Sequence, residues 1–185
     1  MEKKNNIRKE LLAIRESLSE ETVQEKSQDI CNWLLKMTCF DYAKWIYGYM
    51  PIRNEADIRP FLVHLLKKGK KIALPRVEGD TMEFYQINSF EDLEEGSYHI
   101  LEPKKESPKA EGGGFILIPG VAFDREGGRI GYGKGYYDKY FASHNQPLIK
   151  IGIAYTIQIV DTIPTTSLDV QLDGLVCEED LWMFS

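Results

Sequence analysis

The sequence has few of the residues that most enzymes use as nucleophiles, general bases or metal ligands. Its three cysteines, Cys31, Cys39 and Cys177, are scattered without a CxxC pair, which argues against a disulfide framework or a zinc site. We expect small buried or half-buried thiols. The three histidines form no HxxxH motif, and we expect them on the surface or in loops. Any chemistry must therefore rely on lysine, arginine, aspartate, tyrosine, a metal ion or the substrate.

Long apolar runs and a basic excess are also absent. No run approaches the roughly 18 apolar residues that span a bilayer. The N-terminal segment carries acidic residues and no apolar core, so we predict no signal or transit peptide and a cytoplasmic location. The net charge of −6 argues against non-specific nucleic-acid binding, which needs a basic face. A local site can still bind an anionic small molecule.

The chain of 185 residues, with 43% hydrophobic and 28% charged residues, fits one soluble domain over 1–185. The first 36 residues predict two helices, the second capped by Ser19. Asp57 predicts the cap of a further helix that Gly69 closes, and another helix ends near His144. Predicted strands occupy 45–49, 70–75, 82–87, 115–120, 150–154 and 174–177, with a surface connection at 102–114. This alternation indicates a mainly parallel α/β sheet that binds ligands at the carboxyl ends of its strands.

A glycine-rich segment, GGRIGYGKG at 127–135, follows the strand predicted at 115–120. Glycine lets backbone N–H groups approach a phosphate closely and adopt the positive φ that anion-binding nests require. Arg129 and Lys134 stand among the glycines and can neutralise charge, and the next helix N-terminus adds partial positive charge. The segment suits a nucleotide polyphosphate; a hairpin or lid without a ligand is the alternative.

Two common nucleotide motifs nearly match this segment. Gly128 to Lys134 fits GxxxxGK, but Gly135 stands where the serine or threonine of a P-loop would hold magnesium. Gly131, Gly133 and Gly135 give GxGxG, whereas the dinucleotide fingerprint needs its third glycine at Tyr136. The sequence therefore supports neither a P-loop ATPase nor a Rossmann dehydrogenase.

Several charged residues have two interpretations. Asp138, near the start of the next helix, is either a cap or, beside a phosphate, a magnesium ligand. Asp169 and Asp173 are four apart and could share a helical face; a cap and a turn residue are the alternative. By themselves, Lys4 and Arg8 indicate a solvated helix face, and Glu55 alone is an ordinary loop carboxylate.

The segment PGVAFDREGGRIGYGKGYYDKYF at 119–141 resembles the signature of 5-formyltetrahydrofolate cyclo-ligases, also called methenyltetrahydrofolate synthetases. Ala56 and Ile58 replace a frequent Val and Thr, and Ile130 replaces a usual Leu. The resemblance implies the family's single three-layer α/β/α sandwich with a mainly parallel sheet. It spans nearly the whole chain, because further segments agree in order: KNNIRKELLAIRESLS, YMPIRNEADIRPF, IALPRV, GSYHILEP, IGIAY and TSLDVQLDGLV.

The resemblance implies an ATP- and Mg²⁺-dependent ligase that converts 5-formyltetrahydrofolate to 5,10-methenyltetrahydrofolate, ADP and phosphate. The formyl oxygen would attack the γ-phosphate, and N10 would then attack the activated carbon as phosphate leaves. The substrate supplies both nucleophiles, so the protein has to position groups and stabilise charge. Such a reaction needs no cysteine or histidine nucleophile, which agrees with the scattered positions of these residues in the sequence.

The resemblance also implies a role for each residue of the candidate site. Catalysis would depend on Arg129, Lys134 and Tyr136. Mg²⁺ would be bound by Asp138 and Asp169, whereas Asp173 would have a structural role. ATP would contact Lys4, Arg8, Arg129, Ile130, Gly131, Tyr132, Gly133, Lys134, Gly135, Tyr136 and Tyr137. The folate, which can carry a polyglutamate tail, would contact Met50, Glu55, Tyr132, Gly133, Lys134, Gly135 and Tyr136. We further expect a monomer that binds neither nucleic acid nor membrane.

Two alternatives belong to other classes of protein. A non-catalytic nucleotide- or folate-binding module would ordinarily lose a cation or a magnesium carboxylate, yet Arg129, Lys134, Asp138 and Asp169 are all present. A sugar-phosphate isomerase on a similar scaffold would need a general base, which the loop does not offer.

Overall fold

A seven-stranded sheet runs through the computed structural model, which describes residues 2–184. The expected domain over 1–185 also includes Met1 and Ser185, which lie outside the described residues. The helices are α1 (Glu2–Glu16), α2 (Glu20–Lys36), α3 (Cys39–Tyr42), α4 (Arg59–Lys67) and α5 (Tyr136–Ser143). The strands are β1 (Trp45–Tyr47), β2 (Lys71–Glu78), β3 (Thr81–Ile87), β4 (Leu93–Glu95), β5 (Leu101–Pro103), β6 (Gly114–Ile118), β7 (Ala122–Phe123), β8 (Arg129–Ile130), β9 (Leu148–Ile153), β10 (Gly174–Val176) and β11 (Leu181–Met183).

The strand order is β11-β10-β9-β6-β1-β2-β3. The four inner pairs are parallel, and the two edge strands, β3 and β11, pair antiparallel with their neighbours. The prediction of a mainly parallel α/β sheet is therefore confirmed. The chain passes from β1 to β2 on one side and later returns to β6 on the other side. Ligands in such sheets bind where the strand order reverses, beyond the carboxyl ends of β1 and β6.

Alternation along the central strand β1 produces the three layers. Ile46 packs in one apolar cluster with Ile30 of α2 and Leu62 of α4. Its neighbour Tyr47 points to the opposite face and packs in a second cluster with Tyr140 of α5. Helices thus cover both faces of the sheet, as the resemblance implied. No helix within residues 2–184 combines the length and the apolar character needed to cross a membrane.

Of the three capping residues predicted from the sequence, two lie where expected and one is displaced by one residue. Ser19 is the cap of α2, and its hydroxyl accepts the N–H of Thr22 at 3.1 Å. Gly69, with φ of 75°, follows α4 as predicted. Asp57 lies one residue further out than predicted, because the capping position is Ile58; its carboxylate still accepts the N–H of Arg59 at 3.0 Å.

Three differences from the sequence-based expectations concern the segments between the predicted elements. The hairpin β7–β8 follows β6, and β8 lies within the glycine-rich segment 127–135, so the glycine loop proper is residues 131–135 before α5. Asp169 and Asp173 do not share a helical face, because the segment 161–173 forms turns and extended backbone. Glu102, expected to start a surface connection, is buried, and its carboxylate accepts the N–H of Val77 at 3.1 Å.

The cysteines and histidines lie where the sequence indicated. Cys31 and Cys177 are buried and Cys39 is half-buried, all as free thiols. His64 and His99 are exposed, and His144 is half-buried after α5.

Candidate active site

A cavity of about 720 Å³ opens beyond the carboxyl ends of β1 and β6. Its walls come from α1, the turn after β1, β2 and β3, the segment 98–102, the segment 129–138 and the turn at 166–169. No histidine from the described part of the chain lines it. Every residue that the resemblance implied for the site does: Lys4, Arg8, Met50, Glu55, Arg129, Ile130, Gly131, Tyr132, Gly133, Lys134, Gly135, Tyr136, Tyr137, Asp138 and Asp169.

The glycine loop has the backbone geometry of an anion site. Gly133 and Gly135 have φ of 95° and 68°, a left-handed conformation that strains any other residue. Gly135 occupies the capping position of α5, and the first N–H groups of a helix have no partner within it. Lys134 lies between the two glycines and is exposed, and its ammonium group forms no ion pair within residues 2–184. The loop therefore offers backbone donors and a free cation.

Arg129 places a second cation in the cavity wall. Its Nη1 donates to the carbonyl of Pro119 at 3.1 Å, and its guanidinium lies 5.1 Å from the ring centroid of Tyr137. Burial lowers the pKa of Arg129, an effect that Asp138 and Asp169 oppose; a guanidinium remains charged at neutral pH. Its Nε is buried and has no partner among the described residues. An anion that accepts from this group would remove a desolvation cost of about 1–3 kcal/mol.

Two basic residues of α1 reach across to the site. Arg8 Nε donates to the carbonyl of Gly131 at 2.7 Å, and Lys4 Nζ forms an ion pair with Asp169 Oδ2 at 2.7 Å. Both side chains are half-buried. Lys4 and Arg8 therefore connect α1 to the glycine loop and to the turn at 166–169, and they do not form a purely solvated face.

Asp138 and Asp169 each keep one carboxylate oxygen that takes no hydrogen bond from residues 2–184. Asp138 Oδ1 accepts the N–H of Val170 at 3.0 Å, and the capping position of α5 belongs to Gly135. Asp169 Oδ2 accepts from Lys4 and from the N–H of Thr166 at 2.6 Å. Burial raises the pKa of Asp169, but these hydrogen bonds outweigh it and lower the pKa below its ordinary value.

These two carboxylates fit the ligand set that Mg²⁺ uses beside a nucleotide, one or two carboxylates together with substrate phosphates and water. No group of three or more potential His, Cys, Asp or Glu ligands occurs in the part of the chain that the structure describes. Asp173 lies outside the cavity; its carboxylate accepts the N–H of Lys150 at 2.7 Å and pairs with Lys150 Nζ at 3.1 Å.

The cavity wall also carries a buried carboxyl group, Glu55, on the turn after β1. Glu55 Oε2 accepts the N–H of Ile52 at 3.0 Å, and Oε1 accepts the hydroxyl of Tyr132 at 2.9 Å. The side chain is 5% exposed, and desolvation raises its pKa to about 7, although the nearby Arg15 charge opposes the shift. Alone, the sequence indicated an ordinary loop carboxylate; a group that titrates near neutral pH in a cavity is a candidate functional residue.

The raised pKa of Glu55 predicts a contribution to the pH dependence of stability that Glu55→Gln removes. The folded state binds the proton more tightly than the unfolded state, where the pKa is near 4.5, so stability is lost as pH rises towards 7. The free energy of unfolding of wild type should fall by about 3 kcal/mol relative to Glu55→Gln between these pH values. Urea titrations from pH 4 to 8 measure it. The exposed Glu25→Gln serves as control; parallel curves for wild type and Glu55→Gln would contradict the prediction.

Sequence reasoning missed three residues around the cavity. Arg15 is buried near Glu55. It lies seven residues after Arg8 and four after Leu11, on the same face of α1, and this spacing is a sequence signal for its burial. Tyr98 shares a hydrogen bond of 3.3 Å between its hydroxyl and that of Tyr136 at the mouth, a contact with no sequence signal. Glu102 also lines the cavity, and desolvation raises its pKa.

Comparisons with known proteins identify the family of the chain. The 5-formyltetrahydrofolate cyclo-ligase family matches residues 1–178. A 5-formyltetrahydrofolate cyclo-ligase from Mycoplasma pneumoniae is 31% identical over 184 residues, covering 95% of this chain and 99% of its own length. One from Mus musculus is 26% identical over 190 residues, covering 95% and 94%.

A solved structure shares the fold. The NMR structure of Aquifex aeolicus 5,10-methenyltetrahydrofolate synthetase has a TM-score of 0.86 and 35% identity, and the match covers 97% of this chain and 92% of that one. The family model, the sequence relatives and the solved structure thus indicate the same family. The chain belongs to the 5-formyltetrahydrofolate cyclo-ligase family and is a ligase of that class.

Proposed function

We propose that this enzyme uses ATP and Mg²⁺ to convert 5-formyltetrahydrofolate to 5,10-methenyltetrahydrofolate, ADP and phosphate. The observation that carries the proposal is that one cavity is lined by all the implied site residues, which include the glycine loop, the basic residues beside it and a buried carboxyl group. We further propose one domain over 1–185 that acts as a cytoplasmic monomer and accepts folates with polyglutamate tails.

The reaction has two bond exchanges. The formyl oxygen attacks the γ-phosphorus, so that an O–P bond forms while the bond to ADP breaks. N10 of the same folate then attacks the formyl carbon and loses its proton, the C–O bond breaks, and phosphate leaves with the former formyl oxygen. No protein nucleophile is needed, which agrees with the absence of histidine from the described cavity lining. The protein contributes alignment and electrostatic stabilisation.

The phosphate end of the cavity is proposed to lie at the glycine loop. The N–H groups at the start of α5 and the side chains of Arg129 and Lys134 would accommodate charge on the transferred phosphoryl group. Lys4 and Arg8 would contact the nucleotide from α1, since both already reach this edge. Lys4 would then exchange part of its ion pair with Asp169 for phosphate.

Asp138 and Asp169 are proposed to hold Mg²⁺ through their free oxygens, while Val170 and Thr166 fix the orientation of the carboxylates. When bound, the ion neutralises phosphate charge. The folate would lie against the turn after β1, where Met50 would pack on the pterin and Glu55 would accept from its aminopyrimidine edge. Tyr136 would stand between the two ligands, near the transferred group.

The proposal predicts that purified protein with 5-formyltetrahydrofolate develops the near-ultraviolet band of the methenyl product only when Mg·ATP is present. Omitting ATP or adding EDTA should abolish the band. Circular dichroism verifies that the sample is folded. Folded protein that binds ATP and folate without forming the band would overturn the ligase proposal and indicate a binding module.

A further inference from the structure

Arg15 is a charged side chain that is almost fully buried, with 1% of its surface exposed, near the end of α1. Its guanidinium joins three separate segments. Nε donates to the carbonyl of Arg53 at 3.0 Å, Nη1 donates to the carbonyl of Gly120 at 2.8 Å, and Nη2 donates to the hydroxyl of Tyr132. A buried cation that directs its donors in this way organises the groups it contacts.

The contact between Arg15 and Tyr132 determines the direction of the hydrogen bonds that follow. A guanidinium can only donate, so the phenolic oxygen of Tyr132 acts as acceptor towards Arg15. The hydroxyl of Tyr132 therefore donates its single hydrogen to Glu55 Oε1, and the two oxygen atoms are 2.9 Å apart. Glu55 Oε2 already accepts the N–H of Ile52. Both oxygens of Glu55 are therefore held as acceptors.

Arg15 also acts on Glu55 through its charge. Three arginines face the carboxyl group from different elements: Arg15 of α1, Arg53 of the turn after β1, and Arg129 of β8. The other titratable groups around it are the phenols of Tyr49, Tyr132, Tyr137 and Tyr155. Desolvation raises the pKa of Glu55 to about 7, and Arg15 gives the largest opposing effect. A small change in this wall therefore decides whether Glu55 is ionised at neutral pH.

We infer that Arg15 is a positioning residue that, through Tyr132, holds Glu55 as an ionised acceptor for the N–H groups of the substrate's aminopyrimidine ring. Arg15 does not itself line the cavity, so its action on the substrate is indirect. The inference rests on the proposed function, because it requires that the folate lies against Glu55.

The test uses Tyr132→Phe and Arg15→Lys, with kcat/KM for 5-formyltetrahydrofolate measured from pH 5 to 9. Tyr132→Phe removes one hydroxyl and leaves the two carbonyl contacts of Arg15, so it also serves if Arg15→Lys fails to fold. In wild type, kcat/KM falls as pH drops and Glu55 becomes protonated. Tyr132→Phe removes the phenolic donor and raises the pKa of Glu55, so this fall should move about one pH unit higher in that variant. Lysine keeps the positive charge but not the planar fork of donors, so in Arg15→Lys the fall should move in the same direction by a smaller amount.

At pH 7 Tyr132→Phe should raise KM for the folate about fivefold, because the ionised fraction of Glu55 falls from about one half to about one tenth. Arg15→Lys should raise KM for the folate by less and change KM for ATP less than about twofold. Arg59→Lys is the matched control, because Arg59 is exposed, pairs with Asp57 and lies outside the cavity. Its profile should equal that of wild type. An active wild type with unshifted profiles in both variants would overturn the role of Arg15.

A measurement without turnover separates this inference from the proposed function. The infrared band of the protonated Glu55 carboxyl group, identified by its loss in Glu55→Gln, is followed against pH in ligand-free protein. In Tyr132→Phe the band should persist to higher pH than in wild type. If the band titrates at the same pH in both proteins, the inference is overturned even if the enzyme is active. A folded wild type without turnover would instead overturn the proposed function.

Discussion

Lys134→Ala should lower kcat by about two to three orders of magnitude and leave the melting temperature within about 2 °C of wild type. The reason lies in its position between Gly133 and Gly135, at the start of α5, with an exposed ammonium group and no ion pair within residues 2–184. A cation that makes no contact in the free protein contributes little to folding. Beside the γ-phosphate it would stabilise charge in the transition state.

Lys139→Ala is the matched control for this variant. Lys139 is an exposed lysine on α5, five residues after Lys134, and its Nζ donates to the carbonyl of Asp80 at 2.8 Å, outside the cavity. Its replacement should leave kcat within about twofold of wild type. Steady-state rates from the methenyl band and thermal unfolding give both quantities. Equal rates for Lys134→Ala and Lys139→Ala would remove Lys134 from the mechanism.

Asp138→Asn should raise the Mg²⁺ concentration needed for half-maximal activity by at least about tenfold and lower kcat by about 100-fold. The amide oxygen can still accept the N–H of Val170, so the link between α5 and the 166–169 turn survives. The negative charge that a hard dication requires is lost. Mg²⁺ titrations at saturating ATP separate the change in ion affinity from the change in kcat.

Asp173→Asn is the matched control for Asp138→Asn. It distinguishes the loss of a Mg²⁺ ligand from the loss of a negative charge near the sheet. Asp173 lies outside the cavity and contacts Lys150, and the amide can keep the backbone N–H bond. We expect the same Mg²⁺ dependence as wild type. If Asp138→Asn also titrates like wild type, Asp138 does not hold the ion.

The parts of the fold that were predictable carry their signals within a few residues. Ser19 before an amphipathic run predicts the start of α2, and the apolar run at 115–118 predicts a buried strand, whatever the rest of the chain does. The hairpin β7–β8 also had a signal that we did not use. Asp124 accepts the N–H groups of Glu126 and Gly128, and an aspartate with glycines three and four residues later is typical of a turn.

The spacing of Asp169 and Asp173 failed as a predictor for a local physical reason. The N–H of Thr166 and its hydroxyl both donate to the Asp169 carboxylate, and the N–H of Asp169 donates to the Thr166 carbonyl at 3.1 Å. Such side-chain contacts to the backbone compete with helix formation. A four-residue spacing is informative only where the backbone is helical.

Most of the candidate site depends on contacts between distant parts of the chain. Lys4 and Asp169 are 165 residues apart, and Tyr132 and Glu55 are 77 apart. These residues came from the positions that match the family signature and its companion segments, and no local physical signal indicated them. The resemblance gave no information on Arg15, whose importance appears only when burial and the direction of its hydrogen bonds are known.

Transfer of the formyl oxygen to phosphate is the central chemical claim, and an isotope measurement tests it most directly. The enzyme is given Mg·ATP and 5-formyltetrahydrofolate with ¹⁸O in the formyl group, and the released phosphate is analysed by mass spectrometry. Attack of the formyl oxygen on the γ-phosphorus predicts one ¹⁸O atom in each phosphate formed together with methenyl product. Unlabelled phosphate, with the ¹⁸O recovered in water, would contradict it.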